Sequence, residues 1–258
     1  MDHTYWHKQT PGEALYPDLL WSRPQHKKQA GKLLIVGGNA HGFAAAAEAY
    51  AEAGQAGIGT ARVLLPDSLQ KTVGRIFEAG EYAPSTPSGS FSQQALAELL
   101  DLASWSDGVL LAGDLGRNSE TAIVLESFLA KYPGLLVLTG DAVDYFIKTP
   151  ASLLERENTV LVLNFPQLQK LSTSIHFATA FTSQMDFLNL IKILREFTEQ
   201  YQTAIVLRHN ETVFVALGGL VSTTKTPAGT EVKLAAHAAV WQLQNPSKPF
   251  EAATTSLV

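Results

Sequence analysis

Apolar residues along the chain collect in short continuous runs separated by polar or alanine-rich stretches. Six runs stand out: Leu33–Val36, Ala61–Leu65, Gly108–Leu111, Leu135–Leu138, Val160–Leu163 and Ala204–Leu207. Runs of this length suit strands buried on both faces, and helix-compatible segments lie between most of them, which predicts a mostly parallel sheet. Gln184 to Tyr201 sets Phe187, Leu190, Ile191, Leu194 and Phe197 at helical spacing, an amphipathic helix with these residues in the core. Val213–Ala216 and Leu220–Ser222, joined by Leu217-Gly218-Gly219, read as a hairpin, so the sheet is expected to end in antiparallel strands. Tyr82 to Ser92, rich in Pro, Ser and Gly, reads as a loop inside one domain that covers residues 29–258 after a polar N-terminal arm over 1–28.

Composition narrows the classes. With 258 residues, 46% of them hydrophobic, the chain buries a substantial single core. A formal net charge of −5 and the lack of lysine or arginine runs give no broad basic field, so nucleic acid is not an expected partner. The absence of cysteine removes disulfides, thiolate ligands and cysteine nucleophiles. No His-Glu-x-x-His spacing occurs among the seven histidines, so no protein-ligated metal is expected. Ser85, Ser88 and Ser90 lack the strand-turn-helix setting of a hydrolase nucleophile. No apolar run approaches the ~20 residues that span a bilayer, and the first residues lack a signal-peptide pattern. A soluble, cytoplasmic protein without a membrane partner is therefore expected, and the sequence leaves a homo-oligomer open.

The densest chemical information lies between Gly31 and Pro66. Leu33–Val36 runs into Gly37-Gly38, which permits a tight turn and a close approach of backbone amides to a ligand; Asn39 and His41 add polar groups at its rim. An ordinary βα turn whose glycines serve packing alone has the same text. An Ala-rich helix follows, then Ala56-Gly57-Ile58-Gly59 and a second strand ending at Pro66. This segment resembles the entry to the ADP/ATP-dependent NAD(P)H-hydrate dehydratases of the ribokinase-like superfamily. The resemblance implies a three-layer α/β/α sandwich with a mostly parallel central sheet.

It extends along most of the chain, strongly in the first third and with departures at the later loops. Ala112-Gly113-Asp114-Leu115-Gly116-Arg117 is similar to the family's Gly-Pro-Gly-Leu-Gly-Arg, keeping its second half; Asn118 or Ser119 is then placed to cap a helix. Asp114 in such a loop works against a phosphate. In Thr139-Gly140-Asp141-Ala142, Asp141 matches the second aspartate of the family's Asp-Ala-Asp-Ala and Thr139 replaces the first; Asp141 reads either as a group orienting a substrate hydroxyl or as an N-cap. Asn164-Phe165-Pro166-Gln167 resembles a family loop in which a histidine stands at 165 and a glutamate at 167. Arg208-His209 occupies the place of Lys-Gly. Ala228-Gly229-Thr230-Glu231 stands where ribokinase-like enzymes carry Gly-Thr-Gly-Asp, whose amides hold phosphate and whose aspartate is the base. Glu231 reads either as that carboxylate or as a first-turn acid behind an N-cap at Thr230. Pro249-Phe250-Glu251-Ala252-Ala253 matches the family text.

The resemblance implies a nucleotide-dependent lyase that repairs hydrated NAD(P)H: phosphorylation of the C6 hydroxyl, then loss of phosphate. Its parts would be Glu231 as base; Gly229, Thr230 and Arg208 at the phosphates; and Gly38, Asn39, His41, Gly116 and Asp141 on the hydrated-nicotinamide side. ADP or ATP would be the co-substrate, with Mg2+ arriving on the nucleotide and small-molecule nucleotides as partners. The replacements at Ala112, Asp114, Thr139, Phe165, Gln167 and Glu231 keep a second reading open, a binding or scaffold protein on the same fold without the chemistry.

Overall fold

In the computed structural model, which describes residues 4–225 and 229–258, ten strands form one sheet in the order β1-β10-β9-β8-β7-β6-β5-β2-β3-β4. The strands are β1 (Trp6–Gln9), β2 (Lys32–Gly37), β3 (Thr60–Pro66), β4 (Gly80–Ala83), β5 (Gly108–Gly113), β6 (Leu135–Leu138), β7 (Thr159–Asn164), β8 (Ala204–His209), β9 (Thr212–Leu217) and β10 (Leu220–Lys225). The longer helices are α1 (Ala44–Gln55), α2 (Ala95–Trp105), α3 (Ser119–Lys131), α4 (Phe165–Ser174), α5 (Phe187–Gln200), α6 (Glu231–Gln244) and α7 (Pro249–Thr255).

Alternation along each strand builds two different cores. Leu34, Val36, Val109, Leu111, Leu161 and Leu163 face α2 to α5 with leucines and phenylalanines, among them Phe128 and Phe197. Leu33, Ile35, Leu110, Val160 and Val162 face the other way onto α1, α6 and α7, where Ala46, Ala49, Ala53, Ala235 and Ala239 let the helices lie close to the sheet. Each of the six runs read as a strand is one.

The hairpin forms as expected, with Gly218 and Gly219 at φ 56° and 82° in a two-residue turn whose twist matches the strands. The sheet does not end there, however. β10 turns back into the direction of β8, and Trp6–Gln9, in the segment read as an arm, adds to it in parallel. The indole nitrogen of Trp6 donates to Thr223 Oγ1 at 3.0 Å, and Gln9, 2% exposed, donates to the Thr254 carbonyl at 2.8 Å. These tertiary contacts hold a strand that its own polar residues do not announce. β4 is a second correction: Tyr82 and Ala83, read as the start of a loop, pair with Leu65 and Pro66. Phe187 is a third, since it is 43% exposed at the start of α5, although its ring meets Trp6 and Phe214. Leu190, Ile191, Leu194 and Phe197 are buried as expected. Among the described residues no helix is long and apolar enough to cross a membrane.

Candidate functional site

β2, β5, β6, β7, β8 and β10 point the same way, so the residues that follow them share one edge of the sheet, where ligands of open α/β folds bind. Two regions form along this edge.

The first joins the loops after β2, β5 and β6. A Cβ at Gly37 would fall 2.6 Å from the Gly113 carbonyl oxygen, and the pairing of β2 with β5 shifts between Val36 and Gly37, so glycine is required for this approach. Gly38 (φ 89°) donates its amide to the same carbonyl at 3.1 Å. Asn39 Nδ2 donates to the Asp114 carbonyl at 2.6 Å while Asn39 Oδ1 accepts from the His41 amide at 2.8 Å; the His41 side chain is exposed at the rim. Asp114, at φ 57°, accepts the Ala45 amide at 2.8 Å. It caps α1, whose own N-cap residue, Phe43, offers no side-chain acceptor. The negative charge on this loop is thus spent on a helix of the same chain.

Asp141 is no N-cap, because Gly140 holds that position. Its carboxylate reaches the neighbouring loop instead, accepting the amides of Leu115 at 3.2 Å and Gly116 at 3.0 Å. Burial pushes the Asp141 carboxyl up from the ordinary range, the two amides oppose that, and Asp114 and Asp144 push it further up. Gly116, at φ 77°, also gives its carbonyl to the Tyr145 hydroxyl at 2.6 Å. Thr139 is fully buried, and its hydroxyl has no hydrogen-bond partner among the described residues. Asn118 caps α3 through the Glu120 and Thr121 amides. Gln167 closes a capping box with Asn164, donates to the Gly140 carbonyl at 2.8 Å, and so serves the loop's shape. Phe165 packs its ring 4.6 Å from that of His209.

The second region lies between β8, β10 and the start of α6. A cavity of about 350 Å³ opens there, with Arg208, Lys225, Gly229, Thr230, Lys233 and His237 on its wall. Arg208 and Lys225 have no ion-pair partner among the described residues. Thr230 is the N-cap of α6, its hydroxyl accepting the Lys233 amide at 3.1 Å and donating to the Glu48 carboxylate of α1. Glu231 follows as the first helical residue, partly exposed, with no partner among the described residues; it is adjacent to Thr230 but is not part of the cavity wall. Ala228 lies outside the described residues.

One group was not singled out from the sequence. Glu52 of α1 accepts from His237 Nε2 at 3.0 Å and pairs with Lys233 Nζ at 3.3 Å. With Glu48 and Thr230 this makes a polar seam between two otherwise Ala-lined helices. Burial favours the neutral form of Glu52, but the hydrogen bonds of His237 and Lys233 outweigh it and hold the carboxyl below its usual range. The available signal was spacing: Glu48 and Glu52, and Lys233 and His237, each stand four residues apart on alanine-rich helices, hence on one face.

The fold, a mostly parallel sheet with helices on both faces and an antiparallel end, is that of solved ribokinase-like structures. The chain superposes on a ribokinase-like superfamily protein from Enterococcus faecalis V583 with a TM-score of 0.73, at 18% identity, covering 98% of this chain and 86% of that one. It also superposes on the ADP/ATP-dependent NAD(P)H-hydrate dehydratase from Bacillus subtilis co-crystallised with ATP/Mg2+, with a TM-score of 0.59, at 14% identity, covering 95% and 81%. In sequence it is similar to the bifunctional NAD(P)H-hydrate repair enzyme of Methanocaldococcus jannaschii, 32% identical over 119 residues that make up 46% of this chain. The match spans about a quarter of that relative, 23% of its length. No family model matches the chain.

Proposed function

We propose that the protein binds the phosphates of ADP or ATP in the cavity at the start of α6 and uses them to dehydrate hydrated NAD(P)H. The observation that carries this reading is the cationic cavity: Arg208 and Lys225, without ion-pair partners among the described residues, stand beside an exposed helix N-terminus on the ligand-binding edge of a ribokinase-like sheet. The resemblance of the β2 and β5 loops to hydrate dehydratases, and of the chain to a hydrate repair enzyme, supports the choice of substrate.

In this reading Arg208, Gly229 and Thr230 hold the phosphates, and Glu231, a carboxylate next to them with no partner among the described residues, accepts the proton of the C6 hydroxyl as its oxygen attacks the terminal phosphorus; the bridging P–O bond breaks and ADP leaves from ATP, or AMP from ADP. Gly38, Asn39, His41, Gly116 and Asp141 form the nicotinamide side. The ring nitrogen's lone pair then expels phosphate by cleavage of the C6–O bond, and loss of a proton from C5 to solvent forms the C5=C6 double bond of the dihydropyridine. Among the described residues no cluster of three or more His, Cys, Asp or Glu side chains could hold a metal ion, so magnesium would be carried chiefly by the nucleotide's own oxygens. The test is incubation of purified protein with hydrated NADPH and ADP or ATP with Mg2+. Nucleotide-dependent recovery of dihydronicotinamide absorbance is expected, and its absence with both nucleotides would overturn the reading.

A further inference from the structure

His237 stands one helical turn beyond Lys233 on the cavity wall, 20% exposed at its side chain, with Nε2 on a Glu52 carboxylate that is itself 14% exposed. The Ser256 backbone stabilises the protonated ring as well. Burial, the largest influence, holds the proton affinity of His237 below its ordinary value, while the Glu52 carboxylate on Nε2 pulls toward the imidazolium. The charged groups around it are Glu52 and Glu48 from α1, Lys233 from α6, and Arg208 and Lys225 from β8 and β10. The cavity thus holds a titratable imidazole among fixed cations.

We infer that this cavity takes up a proton together with its anion, with His237 as the residue that gains the proton and Glu52 as its positioning residue. Without ligand, burial lowers the affinity of His237 for its proton and Lys233 repels it, against the pull of Glu52. A dianion in the cavity reverses that balance by adding negative charge to a half-buried site. Linkage then requires anion binding to strengthen as pH falls through the His237 titration. The inference concerns the same cavity as the proposed nucleotide site and rests on that reading only for the identity of the natural ligand.

Inorganic sulfate is the probe, because it stays a dianion throughout and any pH dependence belongs to the protein. Titration calorimetry over about pH 5 to 8 should show affinity rising about tenfold toward acid, the effect of a one-unit shift in one linked group. His237→Gln should flatten this dependence. Glu52→Gln should move its midpoint to lower pH, since the lost carboxylate favoured the cation. NMR of the unaltered protein supplies a measurement independent of any variant's folding: the His237 ring titration must move to higher pH with saturating sulfate. An unchanged ring midpoint, the same pH slope in His237→Gln, or no sulfate binding at any pH would each overturn the inference. Sulfate results as expected, with no turnover of hydrated NADPH, would overturn the functional reading and leave this one standing.

Discussion

The two halves of the binding edge differ in what their polar groups do. On the side of β2, β5 and β6, nearly every polar group already has a partner within the chain: Asp141 on two amides, Asp114 on α1, and Asn39 bridging Asp114 and His41. On the side of β8, β10 and α6, Arg208, Lys225 and Glu231 have none among the described residues. A preformed network fixes shape, whereas unpaired charge stores electrostatic free energy for a ligand. The first side is therefore expected to tolerate change through its loop geometry, and the second to respond to change in binding and rate.

The largest effect is expected from Glu231→Gln. Removing a general base at nearly constant volume should cut turnover of hydrated NADPH by roughly 10²–10⁴-fold while nucleotide affinity stays within a few-fold. Equal turnover in the variant would move the base elsewhere, with Glu48 of α1, which accepts from the Thr230 hydroxyl at the start of α6, the next carboxylate to test. Arg208→Ala should weaken ADP binding by about tenfold or more, as expected for a lost charge-assisted contact, with little change in thermal stability because the guanidinium has no partner among the described residues to lose. An unaltered dissociation constant would separate Arg208 from the phosphates.

Asp141→Asn sharpens the comparison from the other side and has the smallest expected effect. Because its carboxyl is raised in the folded protein, Asp141 contributes stability that is fully present below its unfolded value and lost as pH rises through the higher folded value. The stability of the unaltered protein relative to Asp141→Asn should therefore decline as pH rises through that window, read as the difference in melting temperature at a series of pH values. A difference that grows with pH would mean that the amides of Leu115 and Gly116 outweigh burial.

Much of this was legible in the sequence, for physical reasons that also mark the gaps. Strands buried on both faces must be continuously apolar, so Leu33–Val36 and Val160–Leu163 announce themselves. Trp6–Gln9 is a short edge strand held by Thr223, Thr224 and the Thr254 carbonyl, partners more than two hundred residues away, and its own text is polar. The glycine turns placed Gly38 and Gly116 at one edge, and the Thr230 cap was readable from the side chain alone. The reading of Asp141 as an N-cap failed because its amide donors come from the β5 loop. The seam of Glu48, Glu52, Lys233 and His237 joins helices 182 residues apart at its Thr230 contact, and only their packing shows that the two four-residue spacings face each other.

The most direct measurement is a crystal structure of the protein soaked with ADP. Phosphate density against Arg208 and the amides that open α6 is expected, with the loops after β2, β5 and β6 unchanged in their internal hydrogen bonds. Phosphates seated instead on the β2–β5 loops, displacing Asp114 from α1, would contradict the division of the edge into a filled side and a charged one.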